Sequence, residues 1–437
     1  MLEEPVADSA GGRDAFDAGA LAEAVRRALA LRERGARGLE PAPVLRLDAD
    51  DERERARAAG EAWLAAGRVA ALVVAGGQGT RLGHPGPKGT FPIGPVSERS
   101  LFELQAQKLR RLERRCGSRL PWIVMTSAAT DAATRDFFAQ HDGFGLEVSF
   151  VQQREAPSVD FSGGPLLAAP GRLATSPDGH GGVLFALDEA GLLDELAERG
   201  IRALAYHQVD NPLARMADPV LVGLLETHGA EVASKVLPKS QPDEHLGTIG
   251  LREGRLHVVE YTELAPEEAQ ARAPDGSLRL WAGAIGLHAF SLDFLRRVAP
   301  RADELLPFHA TPKPIPCLDA EGRPVAPREP NGYKLERFVF DLLPEARAPV
   351  MVEALREDEY APVKNARGSE SPASARRALD ACARRWLAAA GWQLPPASVA
   401  IELDHSVIDG PEDAARLSVR DATAAGAFVR LGPGVLS

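Results

Sequence analysis

The stretch at 71–89, ALVVAGGQGTRLGHPGPKG, constrains this chain more than any other. A short β-branched run enters a turn built on Gly76, Gly77, Gly79 and Gly83. Such a run reads as a buried strand, and glycines at its carboxyl end let backbone N–H groups approach a ligand closely. Arg81 and Lys88 follow at once with positive charge. The pattern predicts a phosphate-binding turn at the end of a strand in an α/β sheet.

Downstream the same alternation continues. Helical patterns are predicted at 17–34, 50–66, 101–116, 131–141, 191–200, 219–229 and 373–390. Strands are predicted at 71–75, 122–126, 146–153, 203–210 and 230–237, and as a paired set at 247–263 and 278–289. Strands separated by helices of this length argue for right-handed crossovers and a Rossmann-like mixed, mainly parallel sheet. Ligand groups then belong beyond the strands' carboxyl ends, where the glycine turn and the pair Asp210–Asn211 both fall.

A chain of 437 residues is too long for one small core, so a large α/β domain with smaller appendages is expected. The net charge of -11 argues against nucleic acid or an anionic membrane as partner, while leaving room for a local cationic pocket. Cys116, Cys317 and Cys382 are odd in number and far apart, which excludes a zinc knuckle or a disulfide scaffold. The first residues read as frayed and carry no secretory pattern, and no run of eighteen apolar residues occurs. The expected setting is cytoplasmic. No zipper-like helix is evident, and a monomer is expected.

Two familiar glycine turns do not fit. A P-loop needs Lys followed by Ser or Thr, but here Lys88 precedes Gly89, and His84 follows the glycines. A dinucleotide fingerprint needs tighter spacing than Gly77, Gly79 and Gly83 provide, and it would not place Arg81 inside the turn. A purely structural turn is the remaining plain reading. L-x-x-G-G-x-G-T-R-L-G followed by P-K-G instead resembles the signature of the UDP-sugar pyrophosphorylase family. Further segments of that family recur in order: FVQQREAP at 150–157, SPDGHGGVLFAL at 176–187, HQVDNPLARMADP at 207–219, VVEYTEL at 258–264, ERFVFDLL at 336–343 and LREDEYAPVKNARG at 355–368. Within the family the chain is most similar to the eukaryotic-type UDP-N-acetylhexosamine pyrophosphorylases.

The resemblance implies a nucleotide-diphospho-sugar transferase fold. It comprises a helical N-terminal segment at 1–68, a catalytic domain at 69–390 and a small β-rich C-terminal domain at 391–437. It also implies an enzyme that joins UTP to N-acetylglucosamine 1-phosphate, giving UDP-N-acetylglucosamine and pyrophosphate with Mg2+ as cofactor. That chemistry needs no enzyme nucleophile. It needs two mutually repelling anions aligned and the leaving charge stabilised. The N–H groups of Gly76, Gly77, Gly79 and Thr80, with Arg81 and Lys88, suit the triphosphate. Asp210 at a strand end is either a metal ligand or a cap, and the resemblance favours the metal. Asp218 reads as a helix cap.

Other assignments rest on the resemblance alone. Lys364 matches the lysine on the phosphate bridging nucleoside and sugar. Gln153 and Gly179 match positions that read uracil. Gly247 and Glu260 match residues around the sugar, and Phe338 and Phe340 match the aromatic lining of the N-acetyl pocket. By pattern alone the two phenylalanines equally suit a half-buried strand. His180 stands where the family carries Asn, and still offers one donor. Ala284, in WAGAI at 281–285, replaces a family Asn and removes a polar partner for the sugar. That loss leaves a UDP-glucose or broader UDP-sugar pyrophosphorylase as the enzyme alternative. A non-catalytic nucleotide-sugar binder is a further one.

Overall fold

The computed structural model describes residues 18–34, 38–46, 50–417 and 429–433. The frayed start expected for the first fifteen residues lies outside them. In chain order the elements that matter are helices α1 (Ala18–Arg34) and α2 (Asp50–Ala65), strand β1 (Val69–Val74), α3 (Leu101–Cys116), β2 (Trp122–Thr126), β3 (Val148–Gln152) and β4 (Ala203–Gln208). They continue with α4 (Pro219–Thr227), β5 (Val232–Pro238), β6 (Gly247–Arg252), β7 (Arg255–Val259), β8 (Ala282–Ser291), β9 (His309–Lys313), β10 (Gly332–Glu336) and β11 (Val350–Glu353). Helix α5 (Pro372–Ala389) and strands β12 (Val399–Leu403) and β13 (Val429–Pro433) close the list.

The main sheet is mixed. Strands β4, β1, β2 and β3 lie side by side in parallel, each connected by a helical crossover. Strand β8 runs antiparallel to β4, on the side of β4 away from β1. One edge of β8 is shared: its carboxyl half pairs with β4 at His288–Ser291, while Ala284 and Gly283 pair with Gly247 and Thr248 of β6. Between the two stretches Gly286 holds φ +67°, a left-handed conformation that suits glycine. The cleft opens there, between the end of β4 and the start of β6. The parallel part of the mixed sheet expected from the sequence therefore forms the half bearing the glycine turn; the other half is mainly antiparallel, with β11 alone adding in parallel to β5. Across the cleft, β9 and β10 form a small antiparallel sheet covered by α1 through Leu21, Val25 and Ala28.

Local rules explain the helix ends. Ser100 and Glu103 form a reciprocal capping box at the start of α3, and Gly117 ends it at φ +70°. Asp218 accepts from Val220 N at 3.1 Å and caps α4, as expected. Helix α2 crosses α4 so closely that glycine is required on both. A Cβ at Gly60 would lie 1.8 Å from Pro219 O, and one at Gly223 would lie 1.7 Å from Ala56 O. The C-terminal strands are likewise tied into the fold. Glu402 accepts from Val96 N at 2.8 Å and Ser97 N at 2.7 Å, and Arg215 pairs with Glu412 at 2.8 Å. Gly223→Ala should therefore cost about 3 kcal/mol, the upper end for overpacking, as a lowered urea midpoint. A variant as stable as the parent would contradict the close crossing.

Candidate functional site

The glycine turn closes on itself. Lys88 N donates to Gly77 O at 2.9 Å and Gly79 N to Gly86 O at 2.9 Å, so the far end of the turn returns beside its beginning. Lys88 then reaches Asp210 Oδ2 at 3.3 Å, just past the end of β4. No side chain fits at Gly76, where a Cβ would lie 2.2 Å from Gln153 Oε1, or at Gly89, where it would lie 2.0 Å from Phe102. Thr80 and Arg81 begin an exposed 3-10 turn that ends at Gly83 with φ +71°.

The loop carrying Asp210 is braced from below. Gln105 on α3 donates to Val209 O at 3.0 Å. Lys108, fully buried one helical turn later, donates to Pro212 O at 2.8 Å and Ala214 O at 2.9 Å. Asn211 Nδ2 donates to Glu359 O at 2.7 Å, Ala361 N donates to Asn211 Oδ1 at 3.1 Å, and Val363 N donates to Asp210 O at 2.9 Å. These bonds latch the Asp210 loop to the segment bearing Lys364. Deeper still, the buried Lys235 bridges Asp218 and Glu359. Burial opposes the Lys364 charge, but Tyr360, Asp210 and Glu370 outweigh it and raise its pKa; its Nζ lies 3.0 Å from Glu370. Two lysines thus flank one carboxylate.

A cleft of about 1350 Å³ runs from this point. Its wall holds Arg81, Asp210 and Lys364 at one end, and Gly247, Glu260, Ala284, His180, Phe338 and Phe340 further along. The other expected residues adjoin the wall rather than form it. Gln153 is buried and donates to Gly179 O and Asp178 Oδ1, both at 3.3 Å. Gly179 holds φ +91°, where a Cβ would strike Arg337 O at 2.4 Å. Burial pushes Asp178 up to about 7, against the opposing influence of Arg337 and Gln153.

The half-buried-strand reading of RFVFD does not hold. Strand β10 ends at Glu336, and Val339–Glu345 winds as 3-10 turns. The rings of Phe338 and Phe340 lie 5.0 Å apart on the cleft, and the His180 ring stacks on Phe338 at 5.1 Å. Val339 N donates to His180 Nδ1 at 3.2 Å, which fixes the proton of the neutral ring on Nε2. Burial holds this imidazole neutral, with its pKa down at about 3.

Sequence reasoning missed His309. It is buried, with Nδ1 2.8 Å from Glu263 and Nε2 2.9 Å from Asp341. Burial disfavours its charge, but the two carboxylates more than offset that and push it up to about 10. Its partners come from distant segments, so no local spacing announces it. Lys108 was missed for a different reason: a lysine on an amphipathic helix reads as solvated.

The family described as UTP--glucose-1-phosphate uridylyltransferase matches residues 43–369. Over 351 residues the chain is 41% identical to the UDP-N-acetylhexosamine pyrophosphorylase-like protein 1 of Xenopus tropicalis, spanning 78% of this chain and 69% of the relative. It is 39% identical over 337 residues to the UDP-N-acetylglucosamine pyrophosphorylase of Saccharomyces cerevisiae, covering 74% and 71% of the two chains. A crystal structure of the uridine diphosphate N-acetylglucosamine pyrophosphorylase from Trypanosoma brucei superposes with a TM-score of 0.80 at 30% identity, covering 90% of this chain and 85% of that one.

Glu260 supplies the pH test of this geometry. Burial, and then the neighbouring Glu263 charge, raise it from 4.5 to about 7. Its folded value lies above its unfolded one, so ionising it weakens the fold as pH climbs between those two values and adds nothing further above them. Carbon-13 NMR of labelled glutamate should show one carboxyl titrating near pH 7, absent in Glu260→Gln. Titration of every glutamate near 4.5 would contradict the burial.

Proposed function

The chain belongs to the UDP-sugar pyrophosphorylase family, and on that premise we propose that it condenses UTP with N-acetylglucosamine 1-phosphate across the cleft between β4 and β6. It is a UTP:sugar-1-phosphate uridylyltransferase of the UDP-N-acetylglucosamine pyrophosphorylase type. The observation that carries the site reading is that Asp210 and Lys364 line one end of one cleft while Lys88, from a third distant segment, reaches Asp210.

A sugar-phosphate oxygen attacks the α-phosphorus of UTP in line, and pyrophosphate departs. Backbone N–H groups of Gly76, Gly77 and Thr80 and the Arg81 guanidinium hold the departing phosphates, and Lys88 meets the charge that grows on them; the Gly79 N–H, expected among these donors, is instead used on Gly86 O within the turn. Lys364 sits opposite, on the phosphate that becomes the bridge. Its link to Glu370 and Tyr360 holds the ammonium in place, so little reorganisation is needed as charge moves. Uracil sits against Gln153 and Gly179, whose amide and backbone groups suit an imide edge. The sugar lies along Gly247 and Glu260, with the acyl group toward Phe338 and Phe340.

Family members use Mg2+. No group of three or more His, Cys, Asp or Glu side chains among the described residues could enclose a metal. Asp210 by itself suits the open kind of site in which Mg2+ keeps its waters and shares phosphate oxygens with one carboxylate. Bound there, the ion would withdraw charge from the phosphoryl oxygens.

Ala284 favours a second reading, a broader sugar range. It stands on β8 opposite Gly247, where an amide would face the sugar. Restoring that amide by Ala284→Asn should gain about 1–3 kcal/mol toward N-acetylglucosamine 1-phosphate, measured as kcat/KM. Pyrophosphate release from UTP, Mg2+ and a panel of sugar 1-phosphates tests the assignment directly. Preference for glucose 1-phosphate in the parent would replace it by the broader reading. In the same assay Lys88→Ala and Asp210→Ala should each lower kcat by about a hundredfold. Their urea midpoints should move little. Loss of folding with full specific activity in the native fraction would make these support residues instead.

A further inference from the structure

His309 on the cleft is held by a carboxylate at each ring nitrogen, and nothing in the transfer step uses it. Its ring bridges two walls that reach the site from different parts of the chain. On one side, Glu263 belongs to the turn after β7, closed by Glu263 N and Leu264 N donating to Glu260 O at 2.9 and 3.1 Å. On the other, Asp341 follows Phe340, and its N donates to Phe338 O at 3.1 Å. The ring centroid of His309 also lies 4.5 Å from that of Phe338.

With a carboxylate at each nitrogen, both nitrogens donate and the ring is an imidazolium. Remove it, and Glu263 and Asp341 lose the cation they share and are left partly buried as like charges, with Glu260 close to Glu263, so the walls are driven apart. The phosphate end would not feel this, because Lys108, Asn211 and Lys235 brace it independently.

We propose that His309 is the positioning residue of the sugar pocket: it clamps the Glu260 wall to the Phe338–Phe340 wall and so sets affinity for the sugar 1-phosphate but not for UTP. This rests on Glu260 and the two phenylalanines forming the sugar side of the cleft.

Steady-state kinetics of the full chain with UTP and N-acetylglucosamine 1-phosphate test it. His309→Ala should raise the sugar-phosphate KM by about tenfold or more, with the UTP KM within about twofold of the parent. Asp341→Ala should do the same. Asp341→Asn should restore most of the loss, since its amide can donate to a neutral imidazole that still donates to Glu263. Should His309→Ala fail to fold, the two Asp341 variants decide the matter on the same criteria. An unchanged sugar KM, a UTP KM that rises in step, or no difference between the Asn and Ala variants overturns the clamp alone. A parent protein that forms no UDP-sugar overturns the assignment of activity and the clamp with it.

Discussion

The parallel pairing of β1 with β4 is the constraint from which the site follows. Six consecutive residue pairs, from Val69 opposite Ala203 to Val74 opposite Gln208, end both strands at the same level. The glycine turn and Asp210 emerge together because of that register. Lys88 can then span from one strand's loop to the other's carboxylate. A parallel ladder needs apolar cover on both faces, which two clusters supply. Ala71 and Val73 face the helices α2, α3 and α4, while Ala70 and Leu72 face the opposite cluster. The burial that orders the sheet therefore also orders the cation and carboxylate at its edge.

A second level of order is polar. Lysines at 108 and 235 are buried beneath the Asp210 loop, where isolated charges would be costly. Each is held by several oxygens: two carbonyls with Asp409 nearby for Lys108, two carboxylates for Lys235. Arg215 and Glu412 extend this arrangement into the C-terminal region, as do Arg111 and Asp413. Such a network stores little net stability. Its value lies in geometry, because the Asp210 loop and the Lys364 segment cannot drift apart without stranding a buried charge. The part of the cleft lined by Glu260 and Phe338 uses the same device, with His309 in place of lysine.

Much of this was legible in the chain itself. The residue patterns placed the helix at 101–116 and the strand at 122–126 where the structure has them, since apolar periodicity acts locally; the structure adds the Ser100 cap and Gly117 that close the helix. The glycine turn was legible because only glycine tolerates its close contacts. Phe338 and Phe340 were ambiguous for a physical reason. Alternation of two aromatics is shared by a strand and by an extended residue entering a 3-10 turn, and the preceding strand's end at Glu336 decides between them.

By itself, then, the sequence determined the α/β alternation, the tight glycine turn after β1 and the polar end of β4, all properties of residues close together in the chain. Only the tertiary structure decided how those pieces converge. It set Lys88 against Asp210, sank Lys108 beneath its loop, and suspended His309 between Glu263 and Asp341. These pairings depend on strand register and on contacts between segments far apart in sequence. Spacing along a chain carries no record of them, because the same residue types at the same intervals would be solvated side chains in another register.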